Sequence, residues 1–158
     1  MCGIVGYIGE KNASEVLATG LKRLEYRGYD SAGIALLDGE LVVKKKKGKI
    51  AELVKNLNFS DYSNHTIGIG HTRWATHGEP SDVNAHPHTD CEEEIAIVHN
   101  GIIENFSVIK QMLIDREHVL KSETDTEVLV HLIEYYHREL PLTEAVRRTL
   151  LKVEGTYG

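Results

Sequence analysis

Cysteine is scarce in this 158-residue chain, which holds only Cys2 and Cys91. Two thiols make no disulfide framework, so a reducing compartment, the cytoplasm, is the expected setting. Proline occurs three times, and no stretch is rich in Pro, Gly and Ser together. That leaves no internal linker, and one domain over residues 1–158 is expected. No apolar run approaches the roughly 20 residues of a membrane span, and no basic segment followed by a long apolar one marks a secretory leader. An excess of basic charge is missing too. The net charge of −6 argues against nucleic acid or an anionic membrane as partner. The one basic run, Lys44 to Lys47, reads as a solvated strand edge or hairpin arm.

What is present suits a buried core. Hydrophobic residues make up 41% and charged residues 27%, a mix without the signature of disorder. Gly3 to Ile8 is an apolar run that predicts a buried strand. Val16, Leu17, Leu21 and Leu24 recur at helical spacing and predict a helix over 14–26, with Ser14 as its N-cap. Residues 32–37 and 41–45 flank Asp38-Gly39, a strong hairpin signal. A short helix over 50–57, strands over 66–71 and 94–99, and a helix over 106–115 follow. Ser122-Glu-Thr-Asp125 resembles a capping box, with Asp in place of Glu or Gln, opening a helix that ends near Pro141. A last helix over 143–153 stops at Gly155. Hairpin-linked strands with helices outside strict alternation point to an antiparallel α+β fold. The chain ends three residues after Gly155. The expectation is that the C-terminal part of the domain is missing, with nothing left to cover that helix or extend the sheets.

Several residues could carry chemistry. A cysteine at position two is often incidental, but removal of Met1 would leave Cys2 with a free α-amine. The amine (pKa about 7.7–8.0) and the thiol (about 8.5) are closely matched for proton transfer. One residue would then supply nucleophile and general base, with no catalytic histidine required. Residues 71–88 are rich in histidine. His86 and His88 could face a metal together, completed by His71, His77 or Asp125, as in a metal-dependent hydrolase. Against that, Pro87 stiffens the run as a loop, and histidines bonded to backbone are the plainer reading. Arg73 presents a planar fork suited to a carboxylate, or it is a surface ion pair. Adjacent Trp74 could close over an aliphatic chain. Asn100-Gly101 is either a turn or an oxyanion hole, since an Asn amide and a Gly N–H can point at one spot. Asp125 could favour the positive end of a helix or receive a substrate ammonium. The polar loop at 26–33 reads equally as a connector.

Together these motifs resemble a known family. Met-Cys-Gly-Ile-Val-Gly at the start, Glu-Tyr-Arg-Gly-Tyr-Asp-Ser-Ala-Gly at 25–33 and Gly-His-Thr-Arg-Trp-Ala-Thr-His-Gly at 70–78 are similar to the class II, N-terminal-nucleophile glutamine amidotransferases. So are Asn-Ala-His-Pro-His at 84–88, Val-His-Asn-Gly-Ile-Ile-Glu-Asn at 98–105 and Ser-Glu-Thr-Asp-Thr-Glu at 122–127. Tyr26-Arg-Gly-Tyr29 and Arg73-Trp-Ala-Thr76 resemble the glutamine–fructose-6-phosphate aminotransferase branch rather than the amidophosphoribosyltransferases.

The resemblance implies an αββα sandwich and hydrolysis of L-glutamine to glutamate and ammonia through a thioester on Cys2. It implies an oxyanion hole at Asn100 and Gly101, with Arg73 on the glutamine α-carboxylate and Asp125 on its α-ammonium. Thr76 and His77 would line a closing loop, Trp74 would lie near the ammonia exit, and Arg27 and Gly28 would position the N-terminus. No cofactor and no metal is expected. Fructose 6-phosphate would be met only through a sugar-isomerase domain outside these 158 residues, in a full-length enzyme for which a homodimer is the expectation.

Overall fold

In a computed structural model that describes residues 2–75 and 78–158, the first strand, β1 (Gly3–Ile8), forms where the opening apolar run predicts it. Helix α1 (Ala13–Leu24) follows, and a single 3-10 turn over Glu25–Arg27 completes it. The cap is Asn12 rather than Ser14. Its side chain accepts from Ser14 N at 3.0 Å and from Ser14 Oγ at 2.6 Å, so the helix starts a residue early and Ser14 is buried inside it. Strands β2 (Ser31–Asp38) and β3 (Glu40–Lys47) form the expected hairpin. Asp38 pairs with Glu40 around Gly39 alone, whose φ of +76° suits a residue without Cβ. After helix α2 (Ile50–Lys55), strand β4 (Ile67–Arg73) inserts between β1 and β2. The antiparallel order is β1-β4-β2-β3, which puts the lysine run on an edge strand.

Leu17 and Leu21 of α1 and Leu53 of α2 pack on Ile34 and Leu36 of β2, forming one apolar core on this sheet. The chain then builds a second half. Strands β5 (His88–Thr89) and β6 (Ala96–Ile97) pair as a ribbon. The strand expected over 94–99 shrinks to two residues because the Asp90 carboxylate takes the N–H groups of Glu94 and Ile95. Strand β7 (Gly101–Ile103) leads into helices α3 (Phe106–Ile114), α4 (Glu127–His137) and α5 (Leu142–Leu150). Ile103, Leu113, Val128 and Leu132 make the second core.

Two expectations need correcting. Helix α4 does not open at a capping box on Ser122. The Glu127 carboxylate turns back onto Lys121 N (2.7 Å) and Ser122 N (2.6 Å), and the helix runs from Glu127 with Thr126 at its N-cap position. Nor does the chain end without extending a sheet. Strand β8 (Gly155–Tyr157) pairs antiparallel with β7. Among the described residues no helix is long and apolar enough to cross a membrane.

Candidate active site

Strand β1 begins one residue after Cys2 and pairs with β4, setting Gly3 opposite Thr72. That register carries Cys2 to the end of β4, where the Trp74 N–H donates to Cys2 Sγ at 3.2 Å. The thiol in turn reaches the Trp74 carbonyl at 3.6 Å. The end of β4 is itself crowded by the loop before β2. A Cβ on Gly28 would lie 2.7 Å from the Arg73 carbonyl carbon and 3.0 Å from Trp74 N. Only glycine lets the two segments touch there. Asp30 completes the clamp: its N–H donates to Arg73 O, and its carboxylate accepts from Ser31 Oγ and Ala75 N. Arg73 is buried, 4% exposed, with Nη2 on Gly78 O at 3.1 Å, so the surface ion-pair alternative falls. Trp74 remains half-exposed, edge-on to Tyr29.

Asn100 approaches from the other half of the molecule. Its Nδ2 donates to Cys2 O at 3.2 Å, and its Oδ1 lies 2.9 Å from His71 Nε2. An amide oxygen can only accept, so His71 carries its proton on Nε2 and fixes which end of Asn100 faces Cys2. Burial holds His71 down to about pKa 4 and keeps it neutral.

Asn100 exchanges both backbone hydrogen bonds with Gly158, at 2.9 and 3.0 Å. Antiparallel alternation then turns the Gly101 and Ile103 N–H groups away from β8. Ile103 N donates to Asp125 Oδ2 at 2.8 Å, which marks that side as the one facing the cavity. Gly101 sits at φ +146°, and a Cβ there would collide with the Thr156 carbonyl. The close ribbon therefore requires glycine.

One cavity of about 410 Å³ is lined by Cys2, Arg27, Arg73, Trp74, Asn100, Gly101 and Asp125, together with His71 and His86. The described candidates thus converge, except that Gly28 acts behind the wall. Thr76 and His77 lie outside the described residues. The histidines of the metal-site alternative behave differently. His71 stacks on His86 at 4.2 Å, and His88 meets His86 edge-on at 4.7 Å. Their nitrogens diverge: His86 Nδ1 accepts from His99 N, and His88 Nε2 bonds Thr124 Oγ1. These rings pack a wall rather than aim lone pairs at one point.

Sequence reasoning missed His71 as the residue that orients Asn100, Asp30 as the clamp on β4, and Thr156 of β8 on the cavity rim. Asp30 lay inside a quoted motif, but nothing in its spacing distinguished it from a connector. Also missed was a convergence of metal-type donors at Cys91, His118, His131 and Glu134.

Comparison with known proteins bears on the family and the fold. A glutamine amidotransferase domain model matches residues 58–143. The chain is 59% identical over 163 residues to the glutamine–fructose-6-phosphate aminotransferase (isomerizing) of Pyrococcus horikoshii, covering 100% of this chain and 27% of that protein. The enzyme of the same name from Aquifex aeolicus is 58% identical over 159 residues, covering 100% and 26%. This chain therefore spans about a quarter of those relatives' length. Among solved structures, the glutamine phosphoribosylpyrophosphate amidotransferase of B. subtilis, complexed with ADP and GMP, superposes with a TM-score of 0.84. It is 30% identical, and the match covers 99% of this chain and 34% of that one. A structure described as the allosteric regulatory enzyme of purine biosynthesis gives 0.86 at 30% identity over the same shares. The α+β, N-terminal-nucleophile architecture is the one observed, and the chain belongs to the glutamine amidotransferase domain family.

Proposed function

We propose that this domain hydrolyses L-glutamine to L-glutamate and ammonia. The observation that carries the reading is the junction of Cys2, Asn100, Arg73 and Asp125 in one cavity, although Cys2 and Asn100 are 98 positions apart. With Met1 removed, the α-amine of Cys2 takes the thiol proton as Sγ adds to the side-chain amide carbon. The oxyanion meets Asn100 Nδ2 and the Gly101 N–H, donors fixed before substrate arrives. The amine returns the proton to the leaving nitrogen, ammonia departs, and water cleaves the γ-glutamyl thioester to restore the thiol.

Arg73 suits the α-carboxylate because its fork is buried and its angle is set by Gly78 O. Asp125 suits the α-ammonium, being a buried carboxylate at the cavity wall. Thr76 and His77 belong to the segment that would close over glutamine, Trp74 guards the exit, and Arg27 and Gly28 support the N-terminal end. In the longer relatives' arrangement the ammonia would pass to fructose 6-phosphate on a sugar-isomerase domain, in the cytoplasm.

Glutamate release tests the reading. Cys2→Ala abolishes it while Cys91→Ala, assayed well below its unfolding temperature, retains it, and a glutamine-mimicking diazoketone labels Cys2 and spares Cys91. Two samples whose intact masses differ by one methionine separate the base from the nucleophile, since an acylated Cys2 nitrogen cannot take a proton. Equal turnover in both would rule out the α-amine as base.

A further inference from the structure

Outside the lining of the glutamine cavity, four donors from three separate segments meet. Cys91 sits in the turn between β5 and β6. His118 lies in the loop after α3. His131 and Glu134, three residues apart, share one face of α4. The two histidines and Glu134 are buried and Cys91 is half-buried, and their donor atoms all lie within 4.8 Å of one another. Cys91 Sγ is 3.5 Å from His131 Nδ1 and 3.9 Å from His118 Nδ1. Glu134 Oε2 is 3.1 Å from His118 Nδ1 and 3.2 Å from His131 Nδ1. A tetrahedral zinc ion with bonds of roughly 2.3 Å to sulfur and 2.0–2.1 Å to nitrogen or oxygen sets S···N edges of about 3.6 Å and N···O edges of about 3.3 Å. Three of these four edges lie within about 0.2 Å of the tetrahedral values, and the fourth, Cys91 Sγ to His118 Nδ1 at 3.9 Å, is the long one.

The placement of the carboxylates points the same way. His131 Nε2 faces Glu127 Oε1 at 3.7 Å, while its Nδ1 faces Glu134 Oε2. Either neutral tautomer of His131 therefore aims a lone pair at a carboxylate. With the proton on Nε2, 3.7 Å from Glu127 Oε1, His131 leaves Nδ1 free to bind a cation. A carboxylate behind the far ring nitrogen is the placement that orients a metal-bound imidazole. Glu127 is itself fixed by Lys121 N, Ser122 N and Ser122 Oγ. Glu134 Oε1 is held by Arg138 Nη2 at 3.0 Å, so both carboxylates that orient the centre are anchored from outside.

We propose that Cys91, His118, His131 and Glu134 form a closed, four-ligand structural site for a zinc(II)-class ion. One sulfur, two imidazoles and one carboxylate select a borderline cation over magnesium or calcium. A thiolate and a carboxylate cancel its charge, so a net-neutral unit is buried. Binding releases the Cys91 thiol proton to solvent and leaves the metal bonded to Sγ. The ion fastens the β5–β6 turn and the α3–α4 loop to α4, just after the segment that carries Asp125. With no open coordination position it does no chemistry.

The test is titration of metal-stripped full chain with cobalt(II), then zinc(II). The expected result is one cobalt per chain, with the strong d–d absorption of tetrahedral cobalt and a thiolate-to-cobalt charge-transfer band, both displaced by zinc. Cys91→Ser loses the charge-transfer band, and Cys2→Ser, which removes the other thiol, keeps it. If Cys91→Ser does not fold, His118→Gln serves, with affinity lowered at least tenfold. Zinc raises the unfolding temperature of the unmutated chain and of Cys2→Ser, but not of the site variants. No uptake at micromolar metal, an intact charge-transfer band in Cys91→Ser, or the weak bands of octahedral cobalt would each overturn the assignment. A purely hydrogen-bonded cluster would then be the better account.

Discussion

Around the glutamine cavity His71, His86 and His88 press ring against ring, and their nitrogens spread outward to Asn100, to the His99 N–H and to Thr124. Around α4, His118 and His131 meet edge to face with centroids 5.6 Å apart. Their Nδ1 atoms turn inward onto Cys91 and Glu134. The same side chain serves as a flat, neutral wall in one place and as a converging donor in the other. Carboxylates make the difference. Among the described residues Glu127, which His88 feels, is the one carboxylate that bears on the cavity rings, and burial together with the neighbouring cations and rings keeps them uncharged. The second cluster holds Glu134 between two imidazoles.

The largest effect expected from this contrast is on catalysis. If the cavity wall serves to aim Asn100, Asn100→Ala lowers kcat about 10²–10³-fold, the usual loss for one oxyanion donor. His71→Ala lowers it less, and the double variant is no worse than Asn100→Ala alone. Additive losses in steady-state rates would show that His71 acts by another route.

Next in size is Arg73→Lys. A point charge cannot reproduce the bidentate fork, and losing a charge-assisted contact costs roughly 1.5–3 kcal/mol, on the order of ten- to a hundredfold in kcat/KM. An unchanged kcat/KM would remove Arg73 from glutamine recognition.

Acid should separate the two regions. Burial pushes His71 to about 4 and His88 to about 3, with His86 also well below 6.5. The unfolded chain binds these protons first, so stability that is complete above pH 6.5 is lost as pH falls toward 4. The slope is on the order of 1.4 kcal/mol per pH unit for each histidine involved. Burial also acts on Glu134, upward, but the Cys91 N–H, Arg138 and His118 outweigh it and hold the carboxyl at about 2. Its contribution persists to lower pH and disappears between 4.5 and 2. Urea unfolding at pH 7, 5 and 4 should therefore show the main loss above pH 4. A flat profile there would mean that the rings are not neutral in the fold.

The smallest catalytic effect belongs to the second region. Cys91→Ser should leave kcat for glutamine within about twofold while lowering thermal stability in the presence of zinc. A tenfold fall in kcat at low temperature would tie the two clusters together.

Much of this was legible in the sequence, and the limits have physical causes. β1, the Asp38-Gly39 hairpin and the β4 run announce themselves through local apolar patterning, and Cys2, Arg73, Asn100, Gly101 and Asp125 through quoted motifs. β7 and β8 were invisible because each is three residues long and its partner lies some fifty positions away, leaving no periodicity to read. Asp125 reads equally as a partner of a helix end and as a receptor for a substrate ammonium, and only the hydrogen bond from Ile103 N ties it to the ribbon beside the cavity. The second cluster draws on positions 91, 118, 131 and 134, a spacing that matches no local ligand pattern. Only the packing of α4 against two loops reveals it.

One consequence of the Cys2–Trp74 contact is optical. Trp74 is the chain's single tryptophan, and its backbone N–H rests on the Cys2 sulfur while its indole, half in solvent, leans on Tyr29. Emission excited beyond the absorption of the seven tyrosines is therefore a one-site signal seated on the nucleophile. Acylation or alkylation of Cys2 should shift it without any label, and modification of Cys91 should leave it dark to the event.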